Sequence, residues 1–386
     1  MFKSLKDFNF QDRRVLLRCD FNVPIEQGRV LDDFRLKKAL PTINYLNEKG
    51  AKIILLSHLG RPEKGEKLSL RPVAEKLKEL LGRKVKFLKE CVGKKVKKKI
   101  DKMKAGEVVL LENLRFEKGE EANEENFAYQ LAELGDVYVS EAFSVSHRAH
   151  ASIVRVPKLL PSLPGFLLTK EIETLSKISK NPQRPLVVVL GGVKISSKIK
   201  ALVKLLPMTD HVLLGGKVAN ALLVVKGISI GRPWPEETVA QMIKGLNLTS
   251  LKIHLPIDVV ASSDESGEFY IRETGPGNVR KEEKILDIGE ETIQTFKQII
   301  REARTIVWSG PLGLYEEPHF RKGTEEIGQA IARAHSAFRV AGGGDTVKAL
   351  RQFNLLQRFD FISTGGGAML FFLAGETLPG LDALKI

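Results

Sequence analysis

The stretch Phe338-Arg339-Val340-Ala341-Gly342-Gly343-Gly344-Asp345-Thr346-Val347 reads as a short strand, a triple-glycine turn and a helix opening at Asp345 or Thr346. Glycine has no Cβ, so such a turn lets the backbone approach a phosphate closely. The helix start adds unpaired N–H groups and the positive end of a dipole. Asp345 supplies a hard oxygen suited to the Mg2+ that accompanies nucleotide phosphates, and Thr346 supplies a hydroxyl. The plain alternative is a glycine turn followed by an ordinary aspartate cap, since glycine-rich turns are common between strand and helix in α/β folds. This stretch alone does not choose between them.

Two further groups of residues carry chemistry. Lys194 and Lys198 are one helical turn apart, directly after Gly191-Gly192-Val193, so their ammonium groups share a face. In the first half, Asp20, Asn22, Arg35, His58, Arg61, Asn113, Arg115, Ser146, His147, Arg148 and His150 all fall just after apolar runs or at the start of the first helix. Arginine offers a planar fork for carboxylate and phosphate oxygens. Several arginines gathered at one edge make an anion site.

The elements that must position these residues alternate. In the first half, strands are expected at Arg13 to Cys19, Lys52 to Leu56, Val85 to Leu88, Glu107 to Leu111 and Asp136 to Ser140. Helices are expected at Asp32 to Asn47, Leu70 to Leu81, Val96 to Met103 and Phe127 to Leu134. The strands are nearly continuous apolar runs, as when helices cover both faces of a parallel sheet. Pro157, Pro161 and Pro164 interrupt this grammar, and a helix through Thr169 to Ile178 follows. The second half repeats it, with strands at Leu186 to Leu190, His211 to Leu214, Leu251 to His254, Thr305 to Trp308, Phe338 to Ala341 and Phe361 to Ser363. Two doubly wound, Rossmann-like parallel-sheet domains joined by a helical hinge are therefore expected, with a cleft between them. The expected division is 1–165 and 166–370.

Ligands of open α/β sheets bind beyond the carboxyl ends of the strands. In the first half those ends carry the cationic residues named above. In the second half they carry glycine: Gly191-Gly192, Gly215-Gly216, Ser309-Gly310-Pro311-Leu312-Gly313, Gly342-Gly343-Gly344 and Thr364-Gly365-Gly366-Gly367. A flat ligand lying against backbone fits this pattern, with a nucleotide base at Gly215 and Gly216 and phosphates over the triple-glycine turns. Glu316 is a candidate acceptor for ribose hydroxyls. Neither a Walker-type loop nor a GxGxxG turn after a strand is present. An anion site in one half and a nucleotide site in the other point to phosphoryl transfer, which needs positioning and charge neutralisation more than a covalent nucleophile.

Composition narrows the classes. The 386 residues carry 61 Lys plus Arg against 47 Asp plus Glu, a formal charge of +14, which favours anionic partners. The two cysteines are too few for a disulfide framework or a cysteine zinc site. No apolar stretch has the length of a membrane span or the form of a signal peptide, so a cytoplasmic protein is expected. The lysine-rich run from Lys94 to Lys104 keeps Val96, Ile100 and Met103 at helical spacing and reads as a solvated helix face, not a nucleic-acid patch.

Six motifs, in order along the chain, resemble phosphoglycerate kinase. They are Arg14 to Pro24 (RVLLRCDFNVP), Ser57 to Pro62 (SHLGRP), Leu111 to Phe116 (LENLRF), His147 to Ser152 (HRAHAS), Gly342 to Thr346 (GGGDT) and Ser363 to Ala368 (STGGGA). The resemblance covers nearly the whole chain. It implies reversible transfer of the acyl phosphate of 1,3-bisphosphoglycerate to Mg-ADP, giving 3-phosphoglycerate and ATP, by a monomer whose domains close around the substrates. It implies triose binding by Asp20, Asn22, Arg35, His58, Arg61, Arg115 and Arg148. Nucleotide binding falls to Gly192, Lys194, Lys198, Gly215, Gly216, Pro311, Leu314, Glu316, Gly342, Gly343, Gly344, Asp345 and Thr346. Arg35, Lys198, Gly344 and Gly367 fall to the transferring group, and Asp345 to the metal. The C-terminal segment 371–386 is expected to fold back onto the first domain.

Some positions depart from the family pattern: Ser197, Lys217, Glu290, Ser309, Met369 and Phe371, with Glu141 and Ser144 to Ser146 before His147. None removes a lysine, arginine or aspartate given a direct role. They leave room for a catalytically impaired binding protein of the same family. The net charge alone would also permit a nucleic-acid-binding protein.

Overall fold

Val15, Leu16, Leu17 and Cys19 have no exposed surface, and neither do Ile53 to Leu56. Runs this apolar can satisfy their backbone only inside a sheet covered on both faces. In the computed structural model, which describes residues 4–62, 68–231, 241, 243 and 246–384, they form the centre of such a sheet. Its strands are β1 (Arg14–Arg18), β2 (Lys52–Leu56), β3 (Val85–Phe87), β4 (Val108–Leu110), β5 (Val137–Ser140) and β6 (Ser162–Pro164). They lie in the order β3-β4-β2-β1-β5-β6, and every pairing is parallel. Helices α1 (Phe34–Glu48), α2 (Arg71–Leu81), α3 (Lys94–Ile100) and α4 (Glu125–Ala132) connect them. In α3 only Val96 and Ile100 are buried, so the lysines do form a solvated face.

The second parallel sheet follows α5 (Phe166–Lys180) and contains β7 (Leu186–Leu190), β8 (His211–Leu214), β9 (Ile253–His254), β13 (Thr305–Ser309), β14 (Phe338–Gly342) and β15 (Phe361–Ser363). Its order is β9-β8-β7-β13-β14-β15. Between β9 and β13 the chain forms a separate three-stranded antiparallel sheet of β10 (Val259–Ser262), β11 (Arg272–Thr274) and β12 (Lys284–Ile288). The helices of this half include α6 (Ile195–Leu205), α7 (Gly216–Val225), α8 (Glu290–Glu302), α9 (Lys322–Arg333), α10 (Gly344–Gln352) and α11 (Gly366–Leu373).

The chain divides into two units, 1–173 with 377–386, and 174–376. The sequence reading put the divisions a few residues earlier, at 165/166 and 370/371. Within the first unit the C-terminal segment packs beside residues 142–154: Ala383 joins a buried cluster with Ala142, Val145, Ile153 and Val154. Gly380 N–H donates to the Ser146 carbonyl at 2.9 Å. Residues 385–386 lie outside the described residues.

Three features escaped the sequence reading. The antiparallel sheet flanks the short β10 with two strands, β11 and β12, that have no long continuous apolar run. β6 ends on Pro164, tolerable at a sheet edge, so its prolines masked a strand. The start of α5 is capped by a buried carboxylate, Glu141, which accepts from Leu167 N–H at 3.2 Å and Leu168 N–H at 2.9 Å. Among the described residues no helix is long and apolar enough to cross a membrane.

Candidate active site

In the first unit the cationic residues do meet at the carboxyl ends of β1, β2, β4 and β5. Asp20 lies two residues past β1 and is almost buried. One of its carboxylate oxygens accepts from Arg35 at 2.7 Å and also from the Ser144 hydroxyl. The other accepts from Asn22 N–H at 3.0 Å. Burial pushes the Asp20 pKa up, but Arg35, His58 and these hydrogen bonds outweigh it and bring it down to about 2. Asn22 Oδ1 takes the Gly60 N–H at 2.9 Å, joining the first two strand ends.

Arg18 sits beneath these residues with 1% of its surface exposed. It donates through Nε to Ser152 Oγ at 2.9 Å, and one guanidinium nitrogen lies 3.3 Å from His58 Nδ1. A guanidinium can only donate, so His58 Nδ1 accepts and its proton stays on Nε2. Burial, reinforced by Arg18, Arg115 and Arg35 against the opposing Asp20, holds the His58 pKa well below its usual value. His147 and His150 are held at about 4 and about 3, burial again acting first. At neutral pH the positive charge of this site therefore comes from arginines.

Arg115 donates to the Gly60 carbonyl, and its Nε is 3.1 Å from Glu121. Burial lowers its pKa, Glu121 opposes, and Arg148, Arg18 and Arg61 lower it further. Arg148 is lowered by burial and then by Arg61. These guanidinium groups are close enough to repel one another, and a bound anion would relieve that repulsion. Sequence reading gave Arg18 no role, although a charge inside an apolar strand run was the available signal. Ser144 was visible only as a departure.

In the second unit the glycine turns nest against one another. A Cβ on Gly191 would lie 2.0 Å from the Pro311 carbonyl oxygen, and one on Gly366 would lie 2.5 Å from Gly343 Cα. A Cβ on Gly215 would lie 2.6 Å from Leu312, and Gly216 N–H donates to the Leu312 carbonyl at 2.8 Å. Gly192, Gly216 and Gly343 adopt positive φ, which favours glycine. Gly344 and Gly367 instead face open space. Gly342 closes β14, and Thr346 is buried beside it, accepting from Gly310 N–H at 2.7 Å and donating to the Gly342 carbonyl at 3.1 Å.

Lys198 Nζ donates to the carbonyls of Gly191 and Ser309, the latter at 3.0 Å. Burial lowers its pKa to about 8; Asp345 opposes and Lys194 adds to the lowering. Lys194 is the exposed cap of α6, and Asp345 is exposed in the first turn of α10. Leu314 is half-buried and Glu316 exposed, on the loop that Pro311 opens. Among the departures, the Ser197 hydroxyl donates to the Lys194 carbonyl at 3.3 Å. Glu290 opens α8 and pairs with Lys322 at 2.7 Å. The Met369 side chain packs against Gly342.

Residues 5–376 match the family model described as phosphoglycerate kinase. The chain belongs to the phosphoglycerate kinase family. A phosphoglycerate kinase from Borrelia garinii subsp. bavariensis is 44% identical over 390 residues, 99% of each chain. One from Thermomicrobium roseum is 43% identical over 389 residues, again 99% of each. The solved phosphoglycerate kinase of Pyrococcus horikoshii OT3 superposes with a TM-score of 0.88 at 34% identity, covering 100% of this chain and 98% of its own. That of Coxiella burnetii gives 0.81 at 38%, covering 100% and 99%. The fold expected from the motifs is thus the phosphoglycerate kinase fold. The chain is a phosphotransferase of glycolytic type, and no finding favours the catalytically impaired alternative.

Proposed function

We propose that the chain moves the acyl phosphate of 1,3-bisphosphoglycerate to ADP, and in reverse phosphorylates 3-phosphoglycerate from ATP, with Mg2+ accompanying the nucleotide. The observation that supports this most is the division of chemistry between the units: mutually repelling arginines around Asp20 and His58 in one, nested glycine turns with Lys198 in the other.

In this reading Arg61, Arg115 and Arg148 hold the anionic groups of the triose substrate. His58 donates from Nε2, and Asp20 and Asn22 accept from substrate hydroxyls. Arg35 meets the transferring phosphoryl group. Gly215 and Gly216, with Pro311, Leu314 and Glu316, hold adenosine, while Gly192, Lys194 and the turn Gly342 to Thr346 hold the phosphates. Lys198 leaves its backbone carbonyls to meet charge that develops during transfer, and Gly344 and Gly367 give the transferring group room against backbone N–H groups.

Asp345 would hold the metal, whose part when bound is to neutralise charge between phosphate oxygens. The donor set fits. Asp345 is a single exposed carboxylate at a helix start, and among the described residues no group of three His, Cys, Asp or Glu could hold a metal by itself. Mg2+ is commonly carried this way, by one or two carboxylates plus substrate phosphates. Transfer requires the two units to close on each other, because donor and acceptor are assigned to different units.

One copy of the chain carries every assigned residue, in keeping with the expected monomer. The test is the purified chain with 3-phosphoglycerate and Mg-ATP, following ADP release with a coupled assay. Steady turnover that needs both substrates is expected. Binding of both without ADP release would leave the impaired reading in its place.

A further inference from the structure

A binding loop keeps its shape only where its backbone groups are tied. The segment 310–314 after β13 is tied at four of its residues. Trp308 Nε1 donates to the Gly310 carbonyl at 2.8 Å. Leu312 N–H and Gly313 N–H both donate to Thr324 Oγ1, at 3.0 and 3.2 Å. Leu314 N–H donates to the Leu286 carbonyl at 2.8 Å. Thr324, in the first turn of α9, has no exposed surface.

Beneath the same turn lies Asp287, with 1% of its surface exposed. Its Oδ2 accepts from Gly323 N–H at 2.7 Å and its Oδ1 from Ile288 N–H at 2.9 Å. Gly313 from the loop and Gly323 from α9 both press onto this carboxyl group. A Cβ on either would lie 2.2 or 2.3 Å from Oδ1. A buried threonine near a helix start usually serves its own helix. Here its oxygen serves two successive N–H groups of a different segment.

We infer that Thr324 and Asp287 are positioning residues for the nucleotide: together they lock the 311–314 segment onto the start of α9 and so set the spacing of Pro311 and Leu314. Neither touches the ligand. This rests on the reading of Pro311, Leu314 and Glu316 as adenosine contacts.

The experiment is steady-state kinetics with both substrates varied, beside a thermal melt, on the full chain. Thr324→Val keeps the shape and strands two buried N–H groups. It should raise the nucleotide KM about tenfold, with kcat and the KM for 3-phosphoglycerate near their original values. Thr324→Ser, which restores the oxygen, should return the nucleotide KM to within about twofold. Asp287→Asn, with one acceptor fewer, should move the nucleotide KM in the same direction and serves where the valine variant does not fold. An unchanged nucleotide KM in the folded variants, or equal rises in both KM values, overturns the inference. Leu314→Ala and Glu316→Ala separate the two readings. If they leave the nucleotide KM unchanged, the pocket reading falls and this one with it. If they raise it while Thr324→Val does not, only the lock falls.

Discussion

The Arg35 guanidinium is held 2.7 Å from the Asp20 carboxylate, and the same nitrogen donates to the Asn22 carbonyl at 3.1 Å. Arg35 comes from the first turn of α1, Asp20 and Asn22 from the end of β1. The arginine is thus fixed over a strand end by the protein's own groups, and preorganised donors are the ones that stabilise developing charge cheaply.

Arg35→Ala should therefore lower the maximal rate by a factor of roughly 10² or more. The KM for 3-phosphoglycerate should change less, because Arg61, Arg115 and Arg148 remain. Asp20 is buried and Arg35 is its charge partner, so the melting temperature should fall as well, and the loss of rate is read on the fraction that stays folded. Kinetics alongside a melt decides this: a near-normal rate with only a raised KM would make Arg35 a ground-state binder.

Lys198→Ala should cut turnover more than nucleotide affinity. The Lys198 ammonium is already satisfied by the Gly191 and Ser309 carbonyls. It therefore gains most when charge develops during transfer. Collapse of ATP affinity with an intact maximal rate is the opposite outcome and would remove the assignment.

Asp345→Asn keeps the shape at the start of α10 and removes the charge. A large fall in turnover and a higher Mg2+ requirement are expected, read from a Mg2+ titration of the rate. Activity unchanged across the titration would exclude Asp345 as the metal ligand.

Asp287 gives a pH prediction. Burial pushes its pKa from 3.8 up to about 8, with the Gly323 and Ile288 N–H groups and Lys322 opposing. A carboxyl group raised in the folded state favours the protonated form. Its contribution is complete below pH 3.8 and is lost as pH rises through about 8. The melting temperature of the wild type should fall between pH 6 and 9 relative to Asp287→Asn, which does not ionise. Parallel melting curves across that range would contradict it.

The sequence carried the parallel sheets well because their strands are buried on both faces, and burial on both faces leaves an uninterrupted apolar run such as Leu186 to Leu190. The antiparallel sheet left no such mark. Arg272–Thr274 is polar, Lys284–Ile288 has its apolar residues broken by Asp287, and both depend on their pairing with Val259–Ser262. For the site, residues at strand ends were legible from topology. Supports were not: Arg18 looked like part of a strand, and Thr324 and Asp287 gain meaning only from the backbone donors that reach them. Helix ends shifted by a few residues, as with α3, expected through Met103 and ending at Ile100.

The glycines of the second unit fall into two kinds, and natural or laboratory variation should treat them differently. Gly191, Gly215 and Gly366 have backbone or a packed side chain where a methyl group would go. Any replacement there should deplete the protein itself, and such variants would vanish from a library screened only for abundance. Gly344 opens α10, Gly367 is the second residue of α11, and a Cβ on either meets nothing within 4 Å. Alanine fits there without collision and suits a helix better than glycine does. Those two substitutions should yield abundant, slightly more heat-resistant protein that fails in cells dependent on its catalysis. A scan read once for abundance and once for growth would map, from genetics alone, where the backbone is kept bare for folding and where it is kept bare for the ligand.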